Sequence, residues 1–431
     1  MRLLLVSPRF PPSSAADSQR LRMLLPHLAA AGCTAEVLAA DPRCCANELD
    51  PWQAAHIPPV VPIHRTRGLT TRWAHLPGLG SLDARCHIAL DRVGSRLLRQ
   101  RPFDLVYFST TEFGSFRLGP LWKRRHNVPF VLDYQDPWVN DHYRLNPCIK
   151  PPGGRLKYAI SDRLHRFHEP RVLCHAAGLT AVSAAYPAQL RQRYGFAARV
   201  PSLVLPFPGS PDDFEHLQGI PASQCPFDPQ DGLIHWVSIG RGGADLYTAL
   251  SGLFTALAQD SAASLRQRLR LHFLGTSYAP AGQGQPTIAP LAQHYGLGAI
   301  VHEHTHRLPL SIALACLKAA NALLVIGSND PAYTASKLYP YLLAQRPLLA
   351  IMHRNSSVCE VLQRCGGGRL ASFDANTTSQ HLAHQISQIW LRADQHATIT
   401  PLDRQAFYPH TAEAQALQLV KFLRQCLHNA A

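Results

Sequence analysis

Short apolar runs, each followed by a longer stretch with helical spacing, recur along the chain in two sets. The first set comprises Leu3 to Ser7, Ala35 to Ala39, Leu105 to Phe108, Phe130 to Leu132 and Leu179 to Val182. The second set comprises Ile234 to Ile239, Leu271 to Leu274, Ile300 to Glu303, Ala322 to Ile326 and Pro347 to Ile351. Strands buried on both faces of a parallel sheet read as such runs, and their connections need helical crossovers. The pattern therefore predicts an α/β fold with two doubly wound, Rossmann-like domains.

A proline-rich stretch separates the two sets. It begins at Pro206 and continues through further prolines to Pro229, a composition that resists regular structure and is typical of an interdomain connector. We therefore expect a first domain over residues 1–205, a linker over 206–229, a second domain over 230–410 and a closing C-terminal helix over 411–431. Doubly wound sheets bind ligands beyond the carboxyl ends of their strands. Functional residues should thus follow the apolar runs and face a cleft between the domains.

The charge of the chain is unevenly distributed. Residues 1–205 hold 27 Lys and Arg against 14 Asp and Glu, whereas the remaining residues hold 15 against 14. A basic first half predicts an anionic partner, for which nucleic acid, an anionic membrane surface and a phosphate-bearing acceptor all qualify. Clusters such as 123–126 occur without zinc-finger spacing, an RNA-binding aromatic motif or a heptad-linked basic region, so nucleic acid is not expected.

Several features favour a cytoplasmic protein. The opening apolar run is too short for a signal peptide, and no run reaches the roughly 18 to 20 apolar residues that span a bilayer. The 11 cysteines form no CxxC pair, which favours free thiols in a reducing compartment. His302, His304 and His306 alternate along a predicted strand, but no carboxylate or cysteine pattern supports a metal site there.

The loop after the first run contains Pro12, Ser14, Ala16 and Asp17 and leads into a helical stretch. A helix N-terminus offers free N–H groups and the positive end of a dipole to an anion. The alternative is an ordinary connection in which Asp17 or Ser18 caps the helix.

A second loop follows Ile234 to Ile239 and contains Gly240, Arg241, Gly242 and Gly243. Glycines permit a phosphate to approach the backbone closely, and Arg241 offers a permanently charged, bidentate partner for a diphosphate. The loop is neither the GxGxxG fingerprint nor a P-loop, so a tight turn without a ligand remains the alternative.

A third segment follows Ala322 to Ile326 and contains Tyr333, Thr334, Ser336 and Lys337. Near a helix start, these residues would gather hydroxyl groups, an ammonium group and free N–H groups at one point. The alternative is a capped helix with a solvated lysine.

Asp136 follows the run Phe130 to Leu132 and precedes Pro137. Its carboxylate could orient an acceptor hydroxyl or a sugar. The alternative is a carboxylate that hydrogen-bonds its own turn.

A basic amphipathic stretch runs from Leu82 to Leu98, with apolar residues at helical spacing and arginines nearby. Such a helix could lie on an anionic membrane, which would suit a lipid-linked acceptor and place the protein at the inner face of the membrane. The alternative is a crossover helix that covers the first sheet.

These motifs together resemble glycosyltransferase family 4, a group of retaining enzymes with the GT-B fold. The resemblance covers nearly the whole chain, and its carriers are Val6 to Pro12, Asp133 to Trp138, Leu179 to Ser183 with Tyr194-Gly195, Ser238 to Gly243, and Ser336 to Leu338 with Arg346-Pro347. It implies a nucleotide-diphosphate sugar as donor, held by the second domain, a glycan or lipid-linked acceptor at the first domain, and neither a cofactor nor a metal. By the same resemblance, Arg241 and Lys337 contact the leaving diphosphate.

The chain departs from this family at two places. Paired glycines of the first loop are replaced by Ala15-Ala16, and two glutamates eight positions apart are replaced by Ala332 and Pro340. The second of those glutamates contacts the nucleotide ribose in the family, so ribose recognition is expected to differ. A non-catalytic nucleotide- or glycan-binding scaffold and a sugar-nucleotide epimerase stay open as alternatives.

Overall fold

A computed structural model describes the chain except residues 77, 146–150, 152–153, 218–223, 280–281, 331–336 and 431. The chain divides into two compact units, residues 1–208 with 412–431 and residues 209–411. Each unit contains one parallel sheet with helices in its connections, which confirms the α/β fold class.

The sheet of the first unit has the strands β1 (Arg2–Val6), β2 (Thr34–Ala40), β3 (Ile63–Thr66), β4 (Leu105–Ser109), β5 (Phe130–Tyr134), β6 (Gly178–Ala181) and β7 (Ser202–Val204). Their order in the sheet is β3-β2-β1-β4-β5-β6-β7, and all neighbouring strands run parallel. The order reverses between β1 and β4, the place where doubly wound sheets bind their ligands.

The helices of the first unit connect these strands. They are α1 (Gln19–Leu28), α2 (Pro51–Ala55), α3 (Leu82–Gln100), α4 (Leu118–His126), α5 (His142–Leu145), α6 (Arg155–Leu173) and α7 (Ala185–Arg193).

The sheet of the second unit has the strands β8 (Ile234–Ile239), β9 (Leu269–Leu274), β10 (Val301–His304), β11 (Ala322–Ile326), β12 (Leu348–His353) and β13 (Arg369–Phe373). It repeats the same winding, with the order β10-β9-β8-β11-β12-β13 and parallel pairing throughout. Its helices are α8 (Pro211–Glu215), α9 (Tyr247–Ala258), α10 (Ala263–Arg268), α11 (Ala289–His294), α12 (Leu310–Ala319), α13 (Leu338–Leu343), α14 (Ser357–Cys365), α15 (Ser379–Ile386) and α16 (Arg404–Phe407). Here the strand order reverses between β8 and β11.

The last helix, α17 (Ala412–Ala430), belongs to the first unit and packs along α1. Its apolar stripe, which includes Leu419 and Leu423, is buried in one cluster with Leu24 of α1. Burial of each such leucine contributes about 1.5 to 3 kcal/mol, so the stripe is enough to hold the end of the chain on this unit.

Helix α3 is a crossover helix of the first sheet, which is the second of the two alternatives that the sequence left open for this stretch. Leu82, Cys86 and Leu97 are buried in the core cluster beneath the sheet. A Cβ at Gly94 would lie 2.3 Å from the Trp122 ring, so glycine lets the helix approach α4. The apolar periodicity of α3 therefore serves packing.

Two further expectations concern the chain as a whole. Among the described residues, no helix is long and apolar enough to cross a membrane. The cysteines that the structure describes are all free thiols, and most are buried.

Candidate active site

The loop after β8 has backbone angles that residues other than glycine rarely adopt. Gly240 and Gly243 have φ angles of +132° and +140°, which glycine adopts without strain. The N–H of Gly240 donates to the carbonyl of Leu274 at 2.9 Å, and the N–H of Gly242 donates to the carbonyl of Thr276 at 2.8 Å. Both bonds tie the loop to the end of β9, so the neighbouring strand fixes the conformation of the glycine loop.

Gly242 is also required for space. A Cβ at this position would lie 2.5 Å from Thr287 Oγ1, a buried hydroxyl without a hydrogen-bond partner among the described residues. Glu303 accepts hydrogen bonds from Thr276 Oγ1 and from the N–H groups of Thr287 and Ile288, at 2.7 to 3.0 Å. The carboxylate of Glu303 therefore fixes Thr276 and Thr287, two residues that lie next to Gly242.

Arg241 is held by an acid four residues further along the chain. Its Nη1 and Nη2 atoms donate to Oδ1 and Oδ2 of Asp245 at 2.8 and 2.6 Å. Burial works against ionisation of Asp245, but hydrogen bonds from Arg241 and Ser328 lower its pKa. The N–H of Asn329 donates to the carbonyl of Asp245 at 2.8 Å, so this acid joins the loops that follow β8 and β11.

Lys337 reaches the same glycine loop from the start of α13. A Cβ at Gly240 would lie 3.4 Å from its Nζ atom, and no described side chain accepts a hydrogen bond from that ammonium. Burial, with repulsion from Arg241, lowers the pKa of Lys337 to about 8. A partly desolvated ammonium beside a second cation is stabilised by an anion.

The structure thus brings three groups of predicted residues together at the carboxyl end of β8. They are the glycines of the loop, Arg241 and Lys337, which lie where the strand order of the second sheet reverses. Two cations and an exposed loop backbone form a site for an anion such as a diphosphate. The predicted donor-binding residues Tyr333, Thr334 and Ser336 lie outside the described residues.

Asp245 was not predicted from the sequence to be part of this site. Arg241 and Asp245 are only four residues apart, but residues 241–243 are not helical, so the rule that ion pairs form at this spacing along a helix does not predict their contact. The contribution of Thr276 and Thr287 had no local signal, since both lie more than thirty residues from the loop.

Asp17 has a different role from the two that the sequence left open. Its Oδ2 atom accepts hydrogen bonds from the N–H of Thr111 at 2.9 Å, from Thr110 Oγ1 at 2.8 Å and from Arg9 at 3.0 Å. Ser18 precedes α1 but makes no side-chain capping bond. Asp17 therefore ties the loop after β1 to the loop after β4, at the point where the first sheet reverses its order.

The rest of the predicted N-terminal loop surrounds this bond. Pro12 and Ser14 are half-buried, and Ala16 is exposed at the start of a short 3-10 turn. The N–H of Ser14 donates to the carbonyl of Glu48 at 2.9 Å, so its backbone is already engaged.

Arg9 and Glu112 lie beside Asp17. The guanidinium of Arg9 is 3.5 Å from a Glu112 oxygen. Burial opposes the charge of Arg9, but the carboxylates of Asp17 and Glu112 outweigh it and raise its pKa. Burial raises the pKa of Glu112 to about 7 in spite of Arg9. Glu112 was not singled out in the sequence, because its environment depends on distant residues.

A fully buried ion pair stiffens the same end of the first sheet. Arg20 Nε donates to Asp133 Oδ2 at 2.7 Å, and its other nitrogens donate to the carbonyls of Leu205 and Pro206. Asp133 also accepts from Ser109 Oγ at 2.8 Å. The pair is thus structural, and it fixes the strand end from which Asp136 follows.

Asp136 is exposed, and the described residues offer it no hydrogen bond, so it does not bond its own turn. A cavity of about 570 Å³ begins at the next residue, Pro137, and its polar lining includes Asn140, Asp141 and Arg166. Amide, carboxylate and guanidinium groups are suited to bind hydroxyl groups. Asp136 therefore precedes a residue that lines a polar cavity of the first unit, but it is not itself a lining residue.

Two other features do not add to the site. A cavity of about 420 Å³ lies at the start of β13, beside Arg369, whereas sheets of this kind bind ligands at the carboxyl ends of strands. Within the described part of the chain, no group of three His, Cys, Asp or Glu could hold a metal ion.

The chain resembles known proteins both in part of its sequence and in its fold. Residues 18–208 match the glycosyl transferase 4-like domain family. No curated protein matches the chain.

Solved structures match over the full length at low sequence identity. Sucrose-phosphate synthase from Thermosynechococcus elongatus shares 16% identity at a TM-score of 0.60, over 99% of this chain and 98% of that one. Anabaena Alr3699/HepE in complex with UDP and glucose shares 14% at 0.59, over 99% and 100%. A UDP-forming trehalose-phosphate synthase from Burkholderia xenovorans shares 12% at 0.58, over 100% and 99%. The chain is a glycosyltransferase whose first unit belongs to the glycosyl transferase 4-like family and whose two units have the folds of the GT-B enzymes.

Proposed function

We propose that the chain transfers a sugar from a nucleotide-diphosphate sugar to a hydroxyl group of a glycan or lipid-linked glycan. The configuration of the sugar is retained, and no cofactor or metal takes part. The observation that carries this proposal is the convergence of Arg241 and Lys337 on one glycine loop of the second unit. HepE, which has the same fold, was crystallised with UDP and with UDP-glucose, which supports a nucleotide sugar as ligand.

Arg241 and Lys337 act on the leaving group. When the bond between the anomeric carbon and the diphosphate breaks, negative charge grows on the diphosphate oxygen. Two fixed cations stabilise that charge more in the transition state than in the bound donor. We expect them to take the role that a divalent cation has in other enzymes of this chemistry.

Transfer with retention in a single step places the acceptor on the face from which the leaving group departs. The acceptor oxygen forms a bond to the anomeric carbon as the bond to the diphosphate breaks. The proton of the acceptor hydroxyl passes to the departing diphosphate, so no protein base is consumed. Asp136 is the candidate for orienting that hydroxyl, because it is exposed and directly precedes Pro137, which lines the polar cavity of the first unit.

Recognition of the nucleoside is the part of the proposal that departs from the resembled family. Pro340, which stands where the family has its ribose-binding glutamate, lies within α13 and offers no hydrogen-bonding side chain. The proposal therefore names a nucleoside diphosphate and leaves the base to experiment.

The proposal is tested by incubation of the protein with nucleotide sugars, first with UDP-glucose, in the presence and absence of glycan acceptors. Release of nucleoside diphosphate should accompany glycosylation, and proton NMR of the product should show the donor's anomeric configuration. An excess of EDTA should leave the rate unchanged. An inverted product would contradict the proposed retention. A rate abolished by EDTA would contradict the proposed independence of metal.

The same experiment separates the two alternatives. An epimerase would isomerise the donor sugar without an acceptor, and a scaffold would bind nucleotide without any turnover. The variants Arg241→Ala and Lys337→Ala should lower turnover about 10²- to 10³-fold each, the usual loss when one stabilising donor is removed. Lys318→Ala is the matched control, because Lys318 is an exposed lysine of the same unit.

A further inference from the structure

Helix α6 presents an exposed apolar stripe. Leu156, Ile160, Leu164 and Phe167 follow one another at spacings of four, four and three residues and therefore lie on one face of the helix. Between 50% and 77% of each of these side chains is exposed. The opposite face, which carries Glu169 and Val172, is buried. Exposed apolar surface of this extent on one face marks an interaction site.

The remaining exposed residues of α6 are all cationic or small. The cations are Arg155, Lys157, Arg163 and Arg171. The small residue is Ala159, and no exposed position of the helix carries a carboxylate. The guanidinium of Arg171 lies over the ring of Phe167, 3.6 Å from its centroid. The surface is thus apolar along its middle and positively charged along its borders.

The loop before α3 extends this surface. A Cβ at Gly80 would lie 3.9 Å from Lys157 Nζ, so the loop runs beside the first turn of α6. In this loop, 48% of Trp73 is exposed, and the preceding residue is Arg72. Tryptophan and arginine are side chains that favour the boundary between lipid headgroups and acyl chains.

We propose that the apolar stripe of α6, with its flanking cations, docks the first unit on an anionic membrane surface. The helix has 19 residues and is about 28 Å long, so it would lie in the plane of the interface with its apolar side chains among the acyl chains. Lys157 and Arg163 flank the stripe and meet anionic headgroups. This assigns the membrane contact to α6, whereas α3 is buried in the core.

The cations that flank the apolar stripe favour a membrane, rather than a second copy of the chain, as its binding partner. A symmetric contact of the stripe with itself would bring Lys157, Arg163 and Arg171 close to their own copies, and α6 has no exposed carboxylate that could offset their charge. An anionic lipid surface supplies the missing negative charge. The proposal concerns the first unit alone and does not depend on the donor site.

The test is sedimentation of the protein with vesicles of phosphatidylcholine and with vesicles that also contain phosphatidylglycerol. The wild type should bind the anionic vesicles, and the double variant Ile160→Glu with Leu164→Glu should lose about tenfold or more of this binding. Lys157→Gln with Arg163→Gln should weaken binding to anionic vesicles and leave any binding to phosphatidylcholine unchanged. Ile88→Glu is the matched control, because Ile88 is 77% exposed on α3 and should not matter.

Three results would overturn the proposal. They are absence of wild-type binding at low salt, equal binding by the Ile160→Glu and Leu164→Glu variant, and a wild-type dimer that this variant splits in ultracentrifugation without vesicles. Since the substituted residues are exposed, the variant should keep the wild-type melting temperature and UDP affinity. Failure of UDP binding in the wild type would contradict the proposed function and leave the vesicle result unaffected.

Discussion

Arg241 is locked to Asp245 by two hydrogen bonds of 2.8 and 2.6 Å before any phosphate arrives. A bidentate pair fixes both the position and the plane of the guanidinium. The cost of ordering that side chain is thus met on folding, and the cation is preorganised for the charge that develops during transfer.

The role of Asp245 is tested by Asp245→Asn. The change removes one negative charge and part of the hold on Arg241, so we expect turnover to fall about tenfold because the cation is less well placed. UDP affinity should stay equal or rise, since the site gains positive charge. Steady-state kinetics and calorimetry measure the two effects. Weaker UDP binding with normal turnover would show that Asp245 does not position Arg241, and Asp260→Asn provides an exposed acid of the same unit as control.

The backbone of Gly240 gives a second prediction. Gly240→Ala forces a side chain onto a φ of +132° and places a Cβ 3.4 Å from Lys337 Nζ. We expect a loss of about 1 to 3 kcal/mol of unfolding free energy and a clear loss of UDP affinity.

Gly232→Ala is its control. Gly232 also has a positive φ, +80°, but open space surrounds its Cβ position. This variant should lose stability and keep its UDP affinity. Equal affinity in both variants would mean that the glycine loop does not approach the ligand.

The lowered pKa of Lys337 predicts a pH dependence of donor binding. Its ammonium form binds the diphosphate, and its pKa is about 8. Above about pH 7, where the terminal phosphate of UDP is already ionised, UDP affinity should therefore weaken as the pH rises through about 8, because the lysine loses its proton. Lys337→Arg should extend binding to higher pH, since a guanidinium stays charged. An identical pH profile for Lys337→Ala and the wild type would contradict this assignment.

The buried pair Arg20 and Asp133 predicts a large effect on stability. Both side chains are fully buried, so Arg20→Leu leaves a carboxylate without its cation. We expect a loss of about 3 to 5 kcal/mol in the unfolding free energy of the first unit, measured by urea denaturation. Arg125→Ala, which breaks the more exposed pair with Asp91, should cost less than about 1 kcal/mol. Similar losses of unfolding free energy in the two variants would show that the buried Arg20–Asp133 pair stabilises the unit no more than an exposed pair does.

The sequence predicted the interior strands of both sheets and one edge strand, β10, and missed the other three edge strands. All ten predicted runs are strands, with ends that differ by two residues at most, because strands buried on both faces must be apolar throughout. The missed strands β3, β7 and β13 are edge strands, and residues such as His64 and Arg65 interrupt their apolar character. An edge strand has one neighbour and partial exposure, so a continuous apolar run need not mark it, although the run at β10 did.

The sequence predicted those residues of the candidate site that are marked by their neighbours along the chain. Arg241 stands among glycines directly after a strand, and Lys337 follows the next strand beyond the reversal of the sheet. The partners of Asp17 were not predictable, because Thr110 and Thr111 lie more than ninety residues away and meet it only through the pairing of β1 with β4. Local patterns therefore gave the charged groups, and tertiary contacts decide how each is held.

The most direct test of the donor site is calorimetric titration of UDP, GDP and ADP into the wild type and into Arg241→Ala, Lys337→Ala and the double variant. The wild type should bind at least one of these nucleotides. Each single variant should weaken that binding about tenfold or more, the loss expected for one charged hydrogen bond. The matched variants Arg268→Ala and Lys318→Ala should bind normally. A double variant that binds as tightly as the wild type, or a wild type that binds none of the three, would contradict the donor site assigned to the second unit.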